Sequence, residues 1–290
     1  MKEITVISGK GGTGKTSLAA SFAALCQRGI FTDCDVDAAN LSLIMRPVLQ
    51  EKHEFKASCQ ARILQDRCSA CGLCRELCRF QAISEDFQVD PLSCEGCGVC
   101  HRACPEEAVA FEEVISGHWF VSRTPYGPLV HARLGIAQEN SGKLVTQVRT
   151  RAREMAQAED KRWIIHDGPP GIGCPVIASL SGAAAALVVT EPTLSAVHDM
   201  ERVLAVCRHF QVPSRVCINR WDLDEENTRR IQDYCETWDV PLAGLIPQDN
   251  SVTAAMLKGL PVVEYNNGPA ARKIKAIWSR LITALSENDL

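Results

Sequence analysis

The octapeptide GKGGTGKT at residues 9–16 constrains this chain more than any other stretch. It follows EITVIS (3–8), which reads as a buried strand, and leads into a helical pattern from Thr16 to Gln27 that Gly29 stops. Strand, glycine-rich loop and helix form the context in which G-x-x-x-x-G-K-[ST] grips phosphate. Gly9, Gly11, Gly12 and Gly14 let the backbone amides of the loop, Thr13 included, converge on phosphate oxygens, and the helix N-terminus adds a favourable dipole. Lys15 is expected to neutralise the β- and γ-phosphates and the Thr16 hydroxyl to ligate Mg²⁺, with Ser17 also at the nucleotide.

Further strand patterns lie at 30–32, 163–167, 185–190, 215–219 and 242–246, with helical patterns between them. HWFV and GPLVHARL within 114–150 suggest strands returning to the same sheet. Alternating strands and helices imply an α/β fold, a mostly parallel sheet with helices on both faces.

Residues 58–112 break that rhythm. Eight of the fifteen cysteines lie between Cys68 and Cys104, and CSACGLCRELCRFQAI (68–83) repeats as CEGCGVCHRACPEEAV (94–109) at a 26-residue offset. From Ser58 to Glu113 there are five Arg and ten Asp/Glu, a local charge of −5. The expected organisation is a P-loop ATPase domain over 1–57 and 113–290, with a small α+β ferredoxin-like domain inserted at 58–112. Each repeat reads C-x₂-C-x₂-C-x₃-C, the run whose fourth cysteine serves the other cluster in two-cluster bacterial ferredoxins. Cys68, Cys71 and Cys74 are therefore expected to join Cys104 around one [4Fe–4S] cluster, and Cys94, Cys97 and Cys100 to join Cys78 around a second. Structural zinc instead pairs short knuckles across a longer spacer. Arg79 stands where proline often follows the first run, and a cation beside a cluster raises its potential.

Lys10, a second lysine within the loop, gives GKGGTGKT a resemblance to the deviant Walker A family of P-loop ATPases: the MinD/Mrp group, the ParA partition proteins and the nitrogenase iron protein. The resemblance implies ATP-dependent homodimerisation, with Lys10 reaching the partner's nucleotide as an arginine finger does. DCDVDAANLSL (33–43) resembles the family's switch I, making Asp35 the acid that orients water or Mg²⁺ and Asp37 an additional acid. HDGPPG (166–171) resembles switch II, with Asp167 beside Mg²⁺ and the Gly168 amide at the γ-phosphate. INR (218–220) resembles the adenine-side motif, which implicates Asn219 and Arg220; IPQD (246–249) is a second candidate.

Cys174 lies seven residues after Asp167, near where the nitrogenase iron protein carries a cluster ligand. It reads either as a metal ligand across the dimer axis or as a buried thiol; two copies alone supply too few thiolates for a complete site. Cys26, Cys34, Cys59, Cys207, Cys217 and Cys235 form no C-x₂-C pair, and most are expected in the core.

A net charge of −4 gives no basic field for nucleic acid. The start, MKEITVISGKGG, has no signal-peptide pattern, and the longest apolar run, Gly182 to Val189, is too short to span a bilayer. A cytoplasmic protein is expected. The apolar stripe of the last helix (270–285) is expected to pack into the core rather than onto a membrane. Three functions follow: an ATPase whose dimer gates electron transfer from the clusters to a redox partner in metallocofactor maturation; an Mrp-type cluster carrier serving an apo-metalloprotein; and a MinD-like spatial organiser.

Overall fold

Apolar β-branched runs lie between amphipathic helices along most of the chain, and in the computed structural model, which describes residues 1–135 and 140–287, they form strands in one sheet. The elements are β1 (Lys2–Ser8), α1 (Lys15–Leu25), β2 (Gly29–Asp33), α2 (Leu41–Met45), β3 (Val48–Ile63), α3 (Leu73–Glu76), α4 (Val99–Ala103), β4 (Val109–Thr124), β5 (Gly127–Leu134) and α5 (Ser141–Ala158). They continue with β6 (Trp163–Pro170), α6 (Cys174–Leu180), β7 (Ala185–Thr190), α7 (Leu194–His209), β8 (Ser214–Asn219), α8 (Glu225–Thr237), β9 (Leu242–Ile246), α9 (Asn250–Leu257), α10 (Val262–Tyr265) and α11 (Pro269–Glu287). Strand order is β3-β4-β5-β2-β6-β1-β7-β8-β9, and the pairs from β5 through β9 are all parallel.

The chain divides into two compact units. Of the described residues, the first holds 1–52, 119–133 and 141–287; the second holds 53–118, 134–135 and 140. β3 and β4 each begin in one unit and end in the other.

In the first unit, β1, β6 and β7 are buried almost throughout, as central parallel strands covered on both faces must be. On one face Leu18 and Phe22 of α1 pack with Ile274, Trp278 and Leu281 of α11, and the rings of Phe22 and Trp278 stand 5.2 Å apart. On the other, Val203 and Leu204 of α7 and Ile231 of α8 close over Val188 and Ile218. The stripe of α11 is thus core, with Ile282 at its margin. Among the described residues no helix is long and apolar enough to cross a membrane.

The second unit has a different interior. Its apolar cluster is Ala61, Ile63, Ile83 and Val109 with Cys74, five further cluster-motif cysteines pack around it, and Ala82 and Ala108 are buried as well. The repeat is visible in the backbone: Ala70 and Gly96 both take positive φ (56° and 60°), as do Gly72 and Gly98 (84° and 73°) and Gln81 and Glu107 (52° and 50°). Each run therefore follows one path, turning left-handed at the same three places.

Candidate functional site

β1 delivers the chain into the loop at Gly9, and the loop turns through positive φ at Gly12 and Gly14 (81° and 93°) before α1 starts. A Cβ at Gly9 would fall 2.4 Å from the Cβ of Asp199, so α7 packs directly on the loop entry. Gly11 and Gly12 face open space, which suits loop amides that approach a ligand. Asn219, at the end of β8, donates from Nδ2 to the Thr13 carbonyl at 2.9 Å. Thr13 is buried, and Ser17 lies 3.4 Å from the Met256 sulfur.

Three acids surround Lys15. Parallel pairing puts Asp33 of β2 in register with Asp167 of β6, and Asp35 follows two residues on. Burial pulls the Lys15 ammonium below its ordinary pKa, and the charges of Asp167, Asp35 and Asp33 oppose that pull. Burial also pushes Asp167 up to about 7, although the Thr16 hydroxyl donates to it and Lys15 is near. Asp167 Oδ1 is buried with no partner, an acceptor aimed into the site. Asp35 is half-buried and raised by desolvation against the pull of Lys15; Asp37 is exposed.

Asp33 is the acid that motif reading missed. It is fully buried and raised well above the carboxylate range by desolvation and by Asp167. Its Oδ1 accepts from the Asp35 amide at 3.1 Å and its Oδ2 from the Leu41 amide at 3.0 Å, so one carboxylate ties down both ends of the 35–41 loop. The available signal was an acid closing the apolar run GIFT (29–32), as Asp167 closes WIIH (163–166).

A buried polar network lies behind this site. His166 is fully buried and driven down to about 4 by desolvation, so its ring is neutral. Thr32 Oγ1 is 2.7 Å from His166 Nδ1, and His166 Nε2 is 2.9 Å from Glu3 Oε2. With Glu3 ionised, Nε2–H donates and Nδ1 accepts. Arg149 and Arg153 each hold Glu3 at 2.5 Å. Burial alone would raise the Glu3 carboxyl, but hydrogen bonds from His166 and Arg153 and nearby positive charge take it far below its ordinary value.

Lys10 does not extend freely into solvent. Its Nζ lies 2.9 Å from Glu191 and donates to Thr193 Oγ1 at 3.0 Å. Arg220, at φ 53°, reaches the same Glu191 carboxylate at 3.3 Å. Gly168 lies within β6, where a Cβ would come 2.8 Å from the Val6 carbonyl, so close strand packing requires glycine there. Cys174 begins α6 and is exposed, which corrects the buried-thiol reading; Cys26, Cys34, Cys207, Cys217 and Cys235 are buried.

In the second unit, Cys68, Cys71, Cys74 and Cys104 line one cavity, walled also by Ile63 and Phe87. Cys78, Cys94, Cys97 and Cys100 line another, walled by Phe80 and Phe111. The Ala108 amide donates to the Cys104 sulfur at 3.3 Å. Arg79 lies over the ring of Phe80, a residue that lines the cavity of Cys78. Among the described residues, no three His, Cys, Asp or Glu side chains converge tightly enough to hold a single metal ion.

Residues 4–262 match the family model described as the CobQ/CobB/MinD/ParA nucleotide binding domain. An uncharacterized protein of Methanocaldococcus jannaschii is 35% identical over 228 residues, 78% of this chain and 80% of its own. The septum site-determining protein MinD of Neisseria meningitidis is 27% identical over 296 residues, 97% of this chain and 91% of its own. The structure of Pyrococcus horikoshii MinD complexed with Mg-ADP superimposes with a TM-score of 0.59 at 18% identity, covering 97% of this chain and 95% of that one, a likeness of fold. With the glycine loop, the strand-end acids and the parallel order in place, the chain belongs to the CobQ/CobB/MinD/ParA nucleotide-binding family.

Proposed function

We propose that this chain is an ATP-hydrolysing iron–sulfur protein whose nucleotide-dependent homodimer gates electron transfer from two [4Fe–4S] clusters to a redox partner in metallocofactor maturation. The observation that carries the reading is the pair of cavities, each lined by four cysteines drawn from both sequence repeats. Four thiols around one cavity match the ligand count of a [4Fe–4S] cluster. The sparse apolar core supports the same reading, since a unit this small gains folding free energy from a bound metal centre. Bound there, such clusters supply one-electron transfer.

At the nucleotide, Gly9 to Thr16 would cradle the phosphates, Lys15 would neutralise their charge, and Thr16 with Asp35 would hold Mg²⁺. The unpartnered Asp167 oxygen supports a cation or its water between these groups, and the Mg-ADP carried by the horikoshii MinD supports the same cofactor here. Asp167 and Asp35 position the attacking water, the Gly168 amide faces the γ-phosphate, and Asn219 and Arg220 meet the base side. Lys10 completes the partner's site.

A MinD-like spatial organiser is the second reading, favoured by likeness to MinD over nearly the whole chain. An Mrp-type carrier is the third. The deciding experiment is anaerobic reduction of iron-loaded protein with and without Mg-ATP, followed by electron paramagnetic resonance and iron analysis. Two reducible centres that stay bound and shift in potential with ATP support gating; iron passing to an apo-acceptor supports the carrier. Absence of reconstitutable centres, together with ATP-dependent sedimentation on lipid, leaves the organiser.

A further inference from the structure

Glu191 sits where two independent lines of packing fix it. It follows β7, whose residues Ala185–Val188 pair with β1, and it precedes Thr193, which caps α7 by accepting from the Ala196 amide. α7 in turn packs so closely on the loop entry that Gly9 has no room for a Cβ beside Asp199. Ser8 Oγ donates to the Lys10 carbonyl at 2.5 Å, which holds the backbone from which the Lys10 side chain projects. Loop and acid are thus parts of one rigid frame.

Within that frame the Glu191 side chain is only 13% exposed and bridges two cations, Lys10 at 2.9 Å and Arg220 at 3.3 Å. Lys10 has a second acceptor in Thr193 Oγ1 and a longer approach to Ser195 Oγ at 3.5 Å. Such a lysine is held, not solvated. To act at a second copy of this chain it must first leave Glu191.

We propose that Glu191 is the positioning residue that retains Lys10 in the free chain, so that pairing of two copies on nucleotide proceeds by transfer of Lys10 from Glu191 to the partner's bound phosphates. The proposal rests on the trans reading of Lys10. Glu191 then sets a threshold: the phosphates of the second copy must outcompete its carboxylate, while Arg220 remains to neutralise Glu191 once Lys10 has gone. No bond is made or broken; the exchange is one of ion pairs.

The test is sedimentation of the full chain with Mg²⁺ and a non-hydrolysable ATP analogue, comparing wild type, Glu191→Gln, Lys10→Ala and the double variant. Glu191→Gln should tighten nucleotide-dependent dimerisation by about fivefold, the upper range for a partly exposed ion pair. In the Lys10→Ala background the same change should have no effect, an outcome that a merely structural role for Glu191 would not produce. Glu191→Asp, which withdraws the carboxylate but keeps its charge, should give a smaller shift of the same sign and serves if Glu191→Gln fails to fold. Unchanged affinity in the Glu191 variants, or a shift that persists without Lys10, overturns the proposal. If Lys10→Ala itself dimerises and hydrolyses ATP like wild type, the trans reading of Lys10 fails instead.

Discussion

Asp33 of β2 and Asp167 of β6 stand in register on neighbouring parallel strands, both buried and both with raised carboxyl pKa values. The pair stores a cost that a cation bound beside it would relieve. Asp167 titrates near 7 in the fold against 3.8 unfolded, so between these values the folded chain holds a proton that the unfolded chain has released. Stability from this group is full below about pH 4 and is lost as pH rises through 7. Asp167→Asn should therefore melt higher than wild type at pH 8 without nucleotide, by about 2 kcal/mol or more, with a smaller gap at pH 5.5. Mg-ADP should stabilise wild type strongly and the variant weakly. Calorimetry across pH with and without Mg-ADP checks both; a gap independent of pH rejects the assignment.

The same register explains what was readable in the sequence. GKGGTGKT and HDGPPG are local: strand, turn and function fall within about ten residues, and the structure places both at strand ends beside one another. The strand at 242–246 and the core stripe of α11 followed from apolar periodicity. The first half of β3, VLQEKHE, carries no such signal and is largely exposed, whereas FKASCQARI (55–63) does alternate, with Ala61 and Ile63 buried, and was masked by the cysteine-rich segment that it enters. α1 ends at Leu25, two residues short of the expected Gln27, because Cys26 turns to an extended conformation. Asp33 and Glu191 were illegible for another reason: their roles depend on partners 134 and 181 residues away in sequence, brought close only by strand order. The two cavities group the eight cysteines in the way that the likeness to the bacterial ferredoxin run implies, with the fourth cysteine of each run beside the first three of the other.

Glu3 and Arg149 form the most deeply buried ion pair at this site, with side chains 7% and 2% exposed. Arg149 also donates to the Ala178 carbonyl, and Arg153 and His166 complete the shell around Glu3. Glu3→Gln leaves Arg149 buried opposite a neutral group. The expected loss is about 3–5 kcal/mol, a fall in melting temperature on the order of 10 °C. Arg153→Met, at the more exposed arm of the network, should cost far less. Equal losses in thermal unfolding of the two variants would mean that burial is not what makes this pair matter.

Gly96 and Ala70 occupy equivalent turns of the two cysteine runs, but their surroundings differ. A Cβ at Gly96 would come 2.2 Å from the Cys59 carbonyl, whereas Ala70 already carries one at nearly the same φ. Gly96→Ala should displace the 94–97 turn, weakening iron retention at the cavity of Cys78, Cys94, Cys97 and Cys100 while sparing the other. Gly72→Ala meets no neighbour and bears only the strain of φ 84°, about 1 kcal/mol. Iron release under a chelator, followed by absorbance, distinguishes them: Gly96→Ala should lose about half its iron early, and Gly72→Ala should follow wild type closely.

Cys74 and Cys78 are four residues apart in sequence yet line different cavities. Cys78→Ser should therefore remove the paramagnetic signal that Cys94→Ser removes, and Cys74→Ser the signal that Cys104→Ser removes. Iron content in each variant should fall from about eight to about four atoms per chain, given two four-iron centres. The comparison needs all four variants, because loss of any single ligand lowers iron whatever the pairing. If Cys74→Ser and Cys78→Ser abolish the same signal, the fourth cysteine of each run serves its own cluster and the crossed assignment is wrong.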